Sequence, residues 1–423
     1  MLPTRRLNRM VGQFGPVEHA PRQITSAELV SGLVYHVLQE DGTLAQHVRR
    51  LTRKHITDGA LSQRRQALPW AVFRSLMQAA LRPKADPKRH PGAFYQGLRL
   101  CGADGSRFSV ANTPQVKAAR RKAASRRHKA AFAKVSVATL VELGIHNPLA
   151  AAVGPKEEAE SVLARELWPA LPQKSLLLAD RYHGVPKVLL ALRQACPQGQ
   201  REFLVRVKQN LKARVLETYP DGSALVEIRS GKDQLRVREI QGQVRPAGGK
   251  GRRVRLWTSL LDWRRYPARE LLELYGRRWE QEGFYHELKV DLRSTNLLRS
   301  HTPETAAQEI AALVLAHALL VEERLQTAQK QPVEVLRISF AKTLAMVRSL
   351  WSFLDCAEGL LSERQIRLLV RRALRQLARE AIPKRRSRSC PRKIRQPVRS
   401  WPRLLKNTYR NGPVDFNILS VIA

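Results

Sequence analysis

The chain has 423 residues and carries 75 Lys plus Arg against 36 Asp plus Glu, a net charge of +39. That length supports a large core and more than one domain, and so large a basic excess is most simply balanced by a polyanion, with nucleic acid the favoured partner. Ribosomal and membrane-surface proteins also run basic, but a 43% hydrophobic share argues for a globular protein instead.

The four cysteines, Cys101, Cys196, Cys356 and Cys390, lie far apart and form no Cys-x-x-Cys pair. A zinc site or a disulfide framework is therefore not expected, and a reducing compartment fits. The basic N-terminus MLPTRRLNRMVGQFGP lacks the continuous apolar run of a secretory signal. The longest apolar stretch, 311–321, is too short to span a bilayer and predicts a buried helix. The expected setting is cytoplasmic, on chromosomal DNA, with no membrane.

In chain order, residues 1–23 predict a mobile basic arm. Leu29, Val30, Leu33, Val34, Val37 and Leu38 recur with helical period behind a Thr25 or Ser26 cap. Helices around 44–51 and from Ser62, broken at Pro69, complete an all-helical N-terminal domain over 1–90. It reads either as a DNA-end reader or as a helical packing domain. The Pro-rich, charged segment 82–91 reads as a linker.

From residue 95 the period shortens to two, predicting strands over 95–110, 132–143 and 147–154, with a dense basic run at 117–129 between the first two. An amphipathic helix over 155–171 has acids in its first turn, as the helix dipole prefers. It feeds the buried-strand pattern SLLLAD at 175–180, a helix, and the strand 202–208. This succession matches a ribonuclease-H-like core over 91–208, a mixed α/β sheet with flanking helices in which acids sit at strand ends.

Residues 209–258 alternate with short turns and predict a β-rich insertion before a helical stretch at 259–330. Helices near 335–354 and 362–380 and a Pro-interrupted basic tail at 383–403 make up a helical, basic C-terminal region, 331–423.

Within 267–289, Tyr275, Arg278, Glu282 and Lys289 stand at offsets of three, seven and fourteen from the first. At about 100° per residue these fall within an arc of roughly 60° on one helix. Arg278 and Glu282 alone also fit an ordinary i,i+4 surface pair. Upstream, Asp104 in Asp104-Gly105-Ser106 follows a strand pattern, whereas the rival Asp41-Gly42 lies between helices and reads as a helix stop. Asp180 ends the 175–180 strand, at the sheet edge where open α/β sheets place their sites. His183 reads as a local hydrogen-bonding residue.

Tyr-x2-Arg-x3-Glu-x6-Lys, with Trp279 directly after the arginine, resembles the Y-R-E-K signature of DDE insertion-sequence transposases of the IS-four type. The resemblance implies a metal-dependent enzyme that cuts and joins DNA at the inverted ends of its element. Asp104, Asp180 and Glu282 would then be the catalytic and metal-binding acids, holding two Mg²⁺ ions that Mn²⁺ can replace. Two such ions about 3.5–4 Å apart stabilise the attacking and leaving oxygens of an in-line displacement, and hard cations of this kind take oxygen ligands. It also implies that Tyr275, Arg278 and Lys289 hold DNA phosphates, that Arg181 supports the site, and that a tryptophan of the insertion, Trp257 or Trp263, stacks on a flipped base. For each tryptophan taken singly, a buried core position is the competing reading. The expected partners are double-stranded element ends and target DNA, held by a homodimer. The alternatives are an inactive DNA-binding relic and a ribonuclease-H-like nuclease that cleaves without joining.

Overall fold

The computed structural model describes residues 4–15, 23–119, 131–154, 158–196, 200–245, 251–293, 295, 297–329, 333–383, 388–389, 410–411 and 415–419. Most of the 117–129 basic run and of the 383–403 tail, and part of the 1–23 arm, lie outside these residues.

Five helices come first: α1 (Thr4–Phe14), α2 (Ser26–Leu38), α3 (Leu44–Thr52), α4 (Asp58–Ala67) and α5 (Trp70–Ala80). Part of the expected mobile arm is α1, whose Leu7, Met10 and Val11 share one face and are buried in the core. Thr25 and Thr43 each close a capping box at the start of α2 and α3. The segment expected as a linker is strapped to the sheet, because Lys84 and Ala85 donate their backbone N–H groups to the buried Glu142 carboxylate.

The sheet then builds as β1 (Phe94–Tyr95), β2 (Leu98–Val110), helix α6 (Pro114–Ala119), β3 (Ala133–Glu142), β4 (Asn147–Gly154), helix α7 (Glu160–Leu167), β5 (Ser175–Ala179), helix α8 (Pro186–Ala195) and β6 (Arg201–Arg206). β2, β3 and β4 form an antiparallel meander, while β5 pairs parallel to β2 and β6 parallel to β5. The order β4-β3-β2-β5-β6, with α7 and α8 as crossovers, is the expected ribonuclease-H-like arrangement.

β7 (Arg214–Thr218), β8 (Ala224–Ser230), β9 (Asp233–Arg245) and β10 (Arg252–Thr258) follow. They are not a separate layer. β10 runs antiparallel to β6 with Trp257 opposite Val205, so the β-rich insertion continues the same sheet as β6-β10-β9-β8-β7.

Residues 268–291 are helical throughout but not one regular α-helix. α9 (Ala268–Leu274) passes into a 3-10 segment over Tyr275–Trp279, then α10 (Glu280–His286), then a π-helical turn over Glu287–Asp291. The even 100° spacing expected across the signature therefore does not hold along its length.

After β11 (Leu297–Leu298) comes α11 (Pro303–Gln329). It is long and apolar enough to cross a bilayer by length and composition, but most of it is buried in protein and forms the centre of the largest core cluster. α12 (Phe340–Cys356) and α13 (Glu363–Arg379) pack on it.

Candidate active site

The parallel ladder between β2 and β5 ends at Ala103 opposite Ala179. Asp104 and Asp180 are the next residues on the two neighbouring strands. Strands in register sit about 4.8 Å apart, so these two acids meet at the carboxyl end of the parallel pair. Cys101 and Ala103 point into the core cluster that contains α7 and α8, so Asp104 points to the opposite face, where α10 crosses. Tyr285 on α10 donates its hydroxyl to the Asp104 carbonyl at 2.8 Å and accepts from Thr139 on β3 at 2.9 Å.

The turn after β5 holds Asp180. Its carboxylate accepts the Tyr182 N–H at 2.8 Å and faces His183 Nδ1 at 3.3 Å. His183 is buried with its ring edge against Trp168, in keeping with a local hydrogen-bonding role. Arg181 and Tyr182 are exposed at the same strand end.

Tyr275, Arg278 and Lys289 touch the strands of this corner, and Arg278 links Glu282 to it. Tyr275 donates its hydroxyl to the Ala179 carbonyl at 3.2 Å, one residue before Asp180. Arg278 donates from Nη2 to Glu282 Oε1 at 3.1 Å, and its Nη1 stands 4.0 Å from Asp104 Oδ2. Lys289 donates from Nζ to the Arg107 carbonyl at 2.9 Å and lies over the Phe108 ring.

The charges are strained in an informative way. Burial, then the charge of Asp180, pushes the Asp104 carboxyl up to about 6. Burial pushes Asp180 up as well, but the His183 hydrogen bond, the Tyr182 N–H and nearby positive charge outweigh it and hold Asp180 below its ordinary value. Lys289 is drawn down to about 8, by burial first and by Arg293 and Lys134 next. Tyr275 is pushed up to about 12 by burial.

One acid at this corner had no signal of its own in the sequence. Glu160, the first residue of α7, read only as a dipole-favoured helix start. Yet a Cβ on Gly105 would sit 2.2 Å from the Glu160 carboxyl carbon, so the missing side chain at 105 is what lets Glu160 approach from the other face of the sheet. Burial and the charge of Asp180 raise the Glu160 pKa, partly offset by His183.

The donors gathered here are carboxylate oxygens crowded by like charge, the chemistry a hard divalent cation relieves. Among the described residues, no three acidic, histidine or cysteine side chains stand close enough to hold a metal as they are placed. The Glu282 carboxylate is engaged by Arg278 instead.

Trp257 departs from the expected base-stacking role. It is fully buried, its Nε1–H donates to Glu239 at 2.7 Å, and the Arg255 guanidinium covers its ring. The extension of the sheet through β10 makes it a core residue. Trp263 is half-buried, stacked on Tyr219 and covered by Arg264.

The chain is 25% identical over 409 residues to transposase InsG of the insertion sequence element IS4 from Escherichia coli (strain K12), spanning 93% of this chain and 90% of InsG. The solved piggyBac transposase synaptic complex with hairpin DNA aligns over 88% of this chain and 81% of its own, with a TM-score of 0.42 at 9% identity. The Transposase DDE domain family matches residues 96–319, more than half of the 423 residues and the whole stretch from β2 to α11 that carries the acids and the signature helix. This chain therefore belongs to the DDE transposase family, DNA transposases that cleave and transfer DNA strands in dependence on divalent metal.

Proposed function

We propose that this transposase cuts and joins the inverted-repeat ends of its insertion sequence at a centre formed by Asp104, Asp180 and Glu282. The observation that carries this reading is the Ala103–Ala179 register, which sets two acids side by side, with Arg278 joining the third to the first.

Asp104, Asp180 and Glu282 offer the carboxylate oxygens that a pair of Mg²⁺ ions, or Mn²⁺ in their stead, would take, and to hold them the three acids would have to draw closer than they stand. When bound, such ions supply charge stabilisation to the attacking and leaving oxygens of the phosphodiester. The chain's own groups do the rest. Tyr275 and Arg278 offer a hydroxyl and a guanidinium to the phosphates beside the scissile bond, and Lys289 adds a third donor from the same side. Arg181, exposed next to Asp180, continues this basic line. The helices up to residue 90 read the element ends, and two copies hold two ends together on chromosomal DNA.

The experiment is Mg²⁺-dependent cleavage and joining of an end duplex into a target plasmid. Asp104→Asn, Asp180→Asn and Glu282→Gln are each expected to abolish cleavage while end binding persists. Parental cleavage by any one of them overturns the assignment of that acid. Cleavage without joining by the parent protein would favour a plain nuclease, and neither activity a relic.

A further inference from the structure

On the far side of the signature helix lies a buried ion network that the reaction as described does not use. At about 100° per residue, Glu280 and Glu287 project roughly 160° and 140° away from Glu282. Both converge on His146, in the connection between β3 and β4. His146 Nε2 lies 2.9 Å from Glu280 Oε2, and its Nδ1 lies 3.0 Å from Glu287 Oε1, an ion-pair contact off the line of a hydrogen bond. Glu287 is gripped further by His317 Nε2 at 2.9 Å and Arg324 Nη1 at 3.1 Å, both from α11. His146, His317, Glu287 and Arg324 are all buried.

Two backbone features show that the ring is fitted to the helix. His146 has φ of +55°, in the left-handed region, which turns its side chain toward α10. A Cβ on Gly283 would lie 2.8 Å from His146 Cε1, so the imidazole rests against the helix at the residue following Glu282. Glu287 also opens the π-helical turn, where an extra residue per turn changes the azimuth of everything beyond it, Lys289 included.

We propose that His146 is a positioning residue for Glu282, its ring bridging Glu280 and Glu287 so that the helix between them presents Glu282 toward Asp104 at one fixed azimuth. An imidazolium suits this task because its two N–H groups stand on opposite edges of one rigid ring and span two carboxylates at once. Burial lowers the affinity of His146 for its proton, but Glu287 and Glu280 outweigh burial and raise its pKa, whereas His317 is lowered, by burial first. Glu287 is held well below its ordinary value, burial being outweighed by His146 and Arg324. Removing the clamp frees the helix to rotate, and Glu282 then meets the other two acids less often.

The inference rests on the reading of Glu282 as a metal-binding acid, and the test separates the two. Full-length His146→Gln and Gly283→Ala proteins are compared with the parent in three measurements: binding of Mn²⁺ followed by the signal of the free ion, the Mn²⁺ concentration for half-maximal cleavage of an end duplex, and thermal unfolding. Both variants are expected to bind Mn²⁺ several-fold more weakly and to need several-fold more of it for cleavage, with end binding unchanged. A merely structural role would lower the unfolding temperature and leave the Mn²⁺ requirement of the folded protein where it was. A folded His146→Gln protein with the parent's Mn²⁺ binding and requirement overturns the proposal. Should His146→Gln fail to fold, Gly283→Ala decides on the same criterion. Full cleavage by Glu282→Gln would overturn the underlying reading instead.

Discussion

Arg278 donates from Nη2 to the Glu282 carboxylate across 3.1 Å, so one acid of the candidate centre is paired with a protein cation. The same guanidinium stands 4.0 Å from Asp104. Arg278 thereby relieves part of the repulsion among the acids, the task a divalent cation would share.

Arg278→Ala should lower the unfolding temperature of the metal-free protein, because two carboxylates lose their counter-charge. Adding Mn²⁺ should then raise that temperature by more than it does in the parent, since the ion no longer competes with a resident cation. Calorimetry with and without Mn²⁺ measures both. An equal Mn²⁺ shift in variant and parent would show that Arg278 and the metal do not share these acids.

Asp104 makes a prediction about acid. Its folded-state pKa is raised from 3.8 to about 6, by burial first and by Asp180 next, so the folded chain binds this proton more tightly than the unfolded one. The ionised group therefore weighs against folding at neutral pH, and that penalty fades as pH falls from above about 6 toward about 4. Asp104→Asn should stabilise the chelated protein at pH 7 by about 3 kcal/mol, with the advantage shrinking across that window. Denaturant unfolding of the two proteins from pH 4 to pH 8 tests it. A variant less stable than the parent at pH 7 would contradict the raised value.

Trp257 should behave as core. Trp257→Phe keeps most of the ring volume but removes the Nε1–H that Glu239 accepts at 2.7 Å. The expected loss is about 1–3 kcal/mol of stability, with end binding and cleavage by the folded protein unchanged. Trp257→Ala should lose about 3–5 kcal/mol. Parental stability together with lost cleavage in Trp257→Phe would point back to a DNA contact.

Much of this was legible in one dimension. Strand alternation and helix period are local, so the run of three strands, helix, strand, helix, strand could be read directly, as could Asp180 at the end of its apolar strand and the Tyr275, Arg278, Glu282, Lys289 spacing. What the sequence by itself determined was which segments are strands and helices, which of them end in acids, and which partner the charge calls for. Only the tertiary structure decided which distant residues meet. The parallel register of β2 and β5 puts Asp104 beside Asp180, and β10 pairing with β6 buries Trp257. The bare backbone at Gly105 admits Glu160, and a left-handed turn carries His146 under the signature helix. The physical reason is the range of the interactions. Periodicity follows from hydrogen bonds between near neighbours in the chain, whereas strand register and buried ion pairs join residues that have no neighbourhood until the core has closed.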